Sequence, residues 1–229
     1  MTYGTARRVV RDNGLVLFFG TIFLLALVGQ AIAGFADFND LQVSDGAATV
    51  SFAAYVTSSD FGADVAENWQ SEYLQFVLYI TATVFLVQRG SPESKPIGDA
   101  GTESDEDQHV GRHARPDSPA AAQASGGRLW WYSNSLGLVM GLLFLGSWTA
   151  QAVGGWAAYN ATQLKAYQDP LGLVEYLGAP DFWNRTLQNW QSEFLAILSM
   201  ALLSIYLRQR GSPESKPVGA AHSATSVEG

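Results

Sequence analysis

The sequence predicts an all-α membrane protein, with four transmembrane helices forming two tandem, parallel helical-hairpin repeats. Three observations support this. Apolar residues make up 48% of the 229-residue chain and charged residues only 15%, whereas soluble proteins average about 25% charged. The apolar residues gather in four runs separated by polar stretches. The chain also repeats itself without a gap. Asn13–Gly98 is matched 121 positions later by Asn134–Gly219, so that Trp69 falls on Trp190, Pro92 on Pro213, Gln30 on Gln151 and Tyr55 on Tyr176.

Leu15 to Phe35 carries no charge, and at about 1.5 Å per residue it is roughly 32 Å long, enough to cross the hydrocarbon core of a bilayer. The rival reading is a secretory signal, which the basic start and Ala31-Ile32-Ala33 resemble. The run is longer than a usual signal core, and its equivalent at Leu136 to Trp156 lies mid-chain, where no signal peptidase acts. Residues 36–67 are acidic and contain no Lys or Arg. The second apolar run, Leu74 to Val87, is short, but Trp69 to Tyr73 extend it into the headgroup layer that Trp and Tyr favour. A helix starting near Ser59 or Asp60 and reaching Arg89 would be about 43 Å long. Arg89 suits its last turn, Gly90 the left-handed residue beyond it, and Pro92 stops it. These elements form a first two-span repeat over residues 1–97, with spans at about 15–36 and 70–88.

Residues 98–128 mix Gly, Ala, Ser, Asp, Glu and Pro with few large apolar side chains, the composition of a disordered linker. The second repeat covers residues 129–218, with spans at about 136–157 and 191–209, and residues 219–229 are a small polar tail read as disordered. Each unit is span, outer loop, span, so the repeats are parallel rather than inverted. Arg7, Arg8, Arg11, Arg89, Lys95, Arg128, Arg208, Arg210 and Lys216 fall on one side of this topology, against Lys165 and Arg185 on the other. The positive-inside rule places both termini and the linker in the cytoplasm.

The two signatures that frame the second span of each repeat, ENWQSE before it and QRGSPESKP after it, resemble those of an uncharacterised family of bacterial integral membrane proteins, a domain of unknown function. The resemblance covers nearly all of the chain outside the linker and tail. It implies a multi-pass protein of the bacterial inner membrane, and it brings no activity, cofactor or catalytic residue.

Candidate functional residues follow from chemistry. Glu72 and Glu193 lie just inside the outer ends of their spans. If the helices of each hairpin pack antiparallel, Gln30 lies at the depth of Glu72, and Gln151 at that of Glu193. Carboxylates at such depth are costly and mark ion paths or proton relays; the alternative is a packing contact in which glutamine satisfies glutamate near headgroup water. Trp69 and Trp190 read as interface anchors. Phe182, Trp183, Leu187 and Trp190 suggest an amphipathic segment on the membrane surface, with a pocket lid as the alternative. Arg89, Glu93 and Lys95, with Arg210, Glu214 and Lys216, read either as a cytoplasmic recognition site or as a helix stop and topology signal. Gly137 and Gly141 form a small-xxx-small pair that permits close helix packing, within the bundle or between protomers. His109 and His113 have i,i+4 metal spacing but lie in the linker, so no metal site is expected.

The chain has no cysteine and a net charge of −8, which excludes thiol chemistry and argues against nucleic acid as a partner. No phosphate loop, Ser-His-Asp order or dinucleotide fingerprint is present. The expectation is no cofactor and no enzyme activity. The partners expected are the lipid bilayer and either a second copy or another membrane protein. Two functional readings remain: a structural or protein-interaction component of the inner membrane, and a small ion or proton-coupled transporter or channel using Glu72 and Glu193.

Overall fold

A computed structural model describes residues 8–227; Arg7 lies outside the described residues. Among them every regular element is helical. The helices are α1 (Gly14–Ser44), α2 (Phe52–Val56), α3 (Ser59–Phe85), α4 (Gly127–Ser133), α5 (Ser135–Lys165), α6 (Leu173–Tyr176) and α7 (Pro180–Tyr206), with a 3-10 turn at Gly111–His113. Helices α1 and α5, each 31 residues long, begin 121 positions apart, as do the 27-residue α3 and α7. Among the described residues, α1 and α5 are the two helices long and apolar enough, by length and composition, to cross a membrane. The chain divides into two compact units, Met1–Asp64 and Val65–Gly229.

In the first unit, α1 returns on α2 through an asparagine clamp. Asn39 Nδ2 donates to Val50 O at 3.2 Å, and the Val50 N–H donates to Asn39 Oδ1 at 2.7 Å. Ser51 accepts the Ala54 N–H and caps α2. Tyr55 is thereby buried against Phe35, Phe38 and Phe61, with ring centroids 5.4–6.2 Å away. Its hydroxyl lies over Gly34, where a side chain would collide with it.

The second unit repeats this arrangement with α5 and α6. Asn160 Nδ2 donates to Leu171 O at 2.9 Å, and the Leu171 N–H donates to Asn160 Oδ1 at 2.8 Å. Tyr176 is buried, with its hydroxyl over Gly155. The core of this unit joins Ala152, Tyr176, Ala179 and Phe182, with Trp148, Trp156, Tyr159 and Leu171 packed around it. Phe182 is therefore a core residue, while Trp183 and Leu187 are exposed. Pro180 opens α7 at the position where a missing N–H costs nothing.

Helix α3 ends at Phe85, four residues before the expected Arg89. Leu86 makes the last helical bond, to Ala82 O at 2.8 Å. The Gln88 N–H then leaves the helical ladder for Ser94 Oγ at 2.8 Å. Gly90, at φ +86°, closes a tight turn between Gln88 O and the Ser91 N–H instead of capping the helix. The same turn follows α7, with Gln209 N–H to Ser215 Oγ at 2.9 Å and Gly211 at φ +81°.

The segment after Pro217 makes specific bonds to the first of these turns. Thr225 Oγ1 accepts the Gly90 N–H at 2.9 Å, the Ser226 N–H donates to Ser91 O at 3.2 Å, and Ser226 Oγ donates to Ser94 O.

Candidate functional site

The NWQSE segments of α3 and α7 meet within the second unit. Toward the N-terminal ends of the two helices, Arg185 Nη1 bonds Glu67 Oε2 at 2.9 Å. One turn further, Trp190 Nε1 donates to Gln70 Oε1 at 2.8 Å, and Gln70 is fully buried with its Nε2 unpaired. Beyond it, Glu72 lies close enough to Glu193 for the two carboxylates to interact electrostatically. Glu72 is exposed and Glu193 half-buried. Trp69 is 39% exposed, whereas Trp190 is partly consumed by its bond to Gln70.

The glutamines do not pair as expected. Gln151 is 1% exposed, but its Nε2 donates to Thr186 Oγ1 at 3.2 Å, and its Oε1 has no partner. Thr186 precedes Glu193 by two helical turns, so the helix crossing brings Gln151 to a different level of α7. The residue matching Thr186 in the first repeat is Val65, which offers no hydroxyl. Gln30 is exposed on α1 in the first unit.

Above this contact runs a polar chain that the sequence reading did not assemble. The Tyr176 hydroxyl donates to Asp181 Oδ2 at 2.9 Å, and Arg185 Nε stands 3.7 Å from the same oxygen. Burial, then the bond to Asp181, pushes the Tyr176 phenol above its usual range. Around Tyr55, burial and then the carboxylates Asp64, Asp60 and Asp37 do the same. The recurring Tyr and Asp-Phe positions were the available signal.

The QRGSPESKP turns use half of their charges internally. Glu93 accepts the hydroxyl of Tyr79. Lys95 Nζ donates to Gly101 O at 2.8 Å and pairs with Glu103 at 2.9 Å. Lys216, 1% exposed, donates to Gly90 O, Ala221 O, His222 O and Ala224 O at 2.6–3.3 Å. Burial, then the nearby Arg208 cation, pushes Lys216 below the usual lysine range. The lysine thus recurs as an anchor for the segment that follows it. Arg89, Arg210 and Glu214 are exposed.

Between α3 and α7 lies a cavity of about 180 Å³ lined by Gln75, Phe76, Tyr79 and Glu93 with Ala196, Ile197 and Met200. Gln75 and Tyr79 match Ala196 and Met200 in the repeat. A polar residue in only one copy of an otherwise apolar run was the sequence signal for this cavity. Among the described residues no group of three His, Asp or Glu side chains could hold a metal ion. His109 lies 2.6 Å from Arg115 Nη2, and His113 accepts from Arg112 Nε at 3.0 Å.

No curated protein and no solved structure matches the chain. Residues 6–227 match the family described as Domain of unknown function (DUF6766). With the match running over both repeats and the linker between them, the chain belongs to that family.

Proposed function

We propose that the chain is a four-span protein of the bacterial plasma membrane, built as two parallel hairpins with both termini and the linker cytoplasmic, and that it serves as a structural or protein-interaction component pairing with a second copy of itself. The observation behind the pairing is the open face of α5: a side chain built at Gly137 or Gly141 would meet nothing within 4 Å. The small-xxx-small pair is thus unused within the chain and offers a close approach to a helix of another protomer. The membrane setting is supported by Leu15, Val16, Phe18, Leu25, Leu136 and Leu142, all more than half exposed on the two long apolar helices. A signal sequence does not account for α5, and a soluble core helix would be buried. The matching bounds of α3 and α7 support four spans in place of two. No catalytic role is proposed.

The pairing is tested with Gly137→Leu plus Gly141→Leu in the full-length protein in mild detergent. Light scattering should show a wild-type dimer and a variant monomer. A monomeric wild type, or a variant that associates as well as wild type, removes the reading.

A second reading, a proton- or ion-coupled transporter, is supported by the recurrence of Glu72 as Glu193 at matching positions of α3 and α7, where the two charges act on each other. Replacing both with glutamine should abolish flux in liposomes; unchanged flux removes them from the path.

A further inference from the structure

The geometry points to a proton path between α3 and α7, running from Glu72 and Glu193 past Gln75 and Tyr79 to Glu93. It rests on the transporter reading above and names its substrate, its route and its inner exit.

Glu72, Gln75 and Tyr79 are spaced i, i+3 and i+7, which places them on one face of α3. Gln75 and Tyr79 line the 180 Å³ cavity against α7. That volume has room for about six waters at roughly 30 Å³ each, and glutamine, tyrosine and glutamate side chains supply the polar partners such waters need. The distance along the helix from Glu72 to Tyr79 is about 10 Å, short enough for a file of waters to bridge. At the other end the chain reverses after Phe85, and the turn brings Glu93 back to accept the hydroxyl of Tyr79. A carboxylate on the cytoplasmic turn is thereby joined to a hydroxyl about two turns inside the helix.

Packing alone does not require this polarity. The matched positions on α7 hold Ala196 and Met200, and the matched cavity wall is apolar. Polar side chains at span depth are costly and typically line a path.

A proton entering on the Glu72–Glu193 pair passes to cavity water. Tyr79 gives its hydroxyl proton to the Glu93 carboxylate and takes one from that water, so no charge stays on the phenol. Glu93 then releases the proton to the cytoplasmic side.

The test is the full-length protein in liposomes with a trapped pH-sensitive dye and a potassium diffusion potential. Wild type should collapse the pH gradient faster than protein-free vesicles. Tyr79→Phe and Glu93→Gln should each slow it at least tenfold, with helicity checked by circular dichroism. Thr81→Ala, which removes only a hydroxyl bonded to Val77 O of its own helix, should match wild type. A wild type no faster than empty vesicles, or folded Tyr79→Phe and Glu93→Gln proteins at the wild-type rate, overturns the path. Asp60→Cys and Arg89→Cys, labelled in the same vesicles by an impermeant thiol reagent, separate this from the topology. Labelling from the same side removes the four-span reading itself, whereas labelling from opposite sides with no proton flux removes only the path.

Discussion

Replacing Gly155 with alanine inserts a methyl group 2.6 Å from the Tyr176 hydroxyl oxygen and 3.4 Å from its ring carbon Cζ. Two effects oppose each other. Alanine in a helix interior stabilises by about 1 kcal/mol relative to glycine. Overpacking costs about 1–3 kcal/mol. Here the clash should win, because Tyr176 is 1% exposed and its hydroxyl is held by Asp181 at 2.9 Å, so the ring cannot swing away. Gly155→Ala should therefore destabilise by about 1–2 kcal/mol. In a Tyr176→Phe background the offending oxygen is gone, and the nearest remaining atom, at 3.4 Å, is an ordinary contact. There the same substitution should stabilise by up to about 1 kcal/mol. Gly146→Ala on the same helix, with nothing within 4 Å, should stabilise by a similar amount in either background. Denaturant unfolding in micelles, followed by tryptophan fluorescence, measures all of these. Effects of Gly155→Ala and Tyr176→Phe that add within about 0.5 kcal/mol would refute the close approach of glycine and hydroxyl.

Three further outcomes are expected. Asn160→Ala strips two hydrogen bonds from the half-buried Leu171 backbone and should cost about 1–3 kcal/mol in the same unfolding assay. Tyr176, whose folded pKa is raised above the unfolded value of about 10, keeps its proton in the fold longer than in the unfolded chain. Its contribution is complete below pH about 10 and is lost as pH climbs above it, so the stability of Tyr176→Phe should fall less steeply there than that of wild type. Gly90→Ala forces a side chain into a residue at φ +86°, against His222 O; hydrogen exchange at Thr225 and Ser226 should quicken, while exchange at Leu171 stays unchanged.

Much of the local structure was legible in the sequence. Charge-free runs at Leu15–Phe35 and Leu136–Trp156 sit inside α1 and α5, because apolar side chains at this density leave the backbone no better partner than its own helix. The 121-residue register carries over to the bounds of the long helices, and the same turn residues follow α3 and α7 in it. The chain belongs to a family of unknown function, as the resemblance implied. The end of α3 was misplaced because Arg89 and Gly90 look like a helix terminus. The bond that ends the helical ladder comes instead from the Ser94 hydroxyl, six residues beyond Gln88, which no local pattern announces.

Partners distant in the chain were decided by tertiary structure alone. Gln151 meets Thr186 and not Glu193 because the helix crossing sets which turns of α5 and α7 touch, and the repeat offers no equivalent hydroxyl at Val65. Glu93 and Lys216 looked like surface charges because their exposure depends on where the chain returns: one folds back to Tyr79, the other is enclosed by the carbonyls of Gly90 and the tail. Sequence determines which residues favour a helix, a turn or an apolar surface, since those preferences arise within a few residues. Which buried groups find a partner is settled only when segments well separated in the chain pack together, from 14 residues apart for Tyr79 and Glu93 to 126 for Gly90 and Lys216.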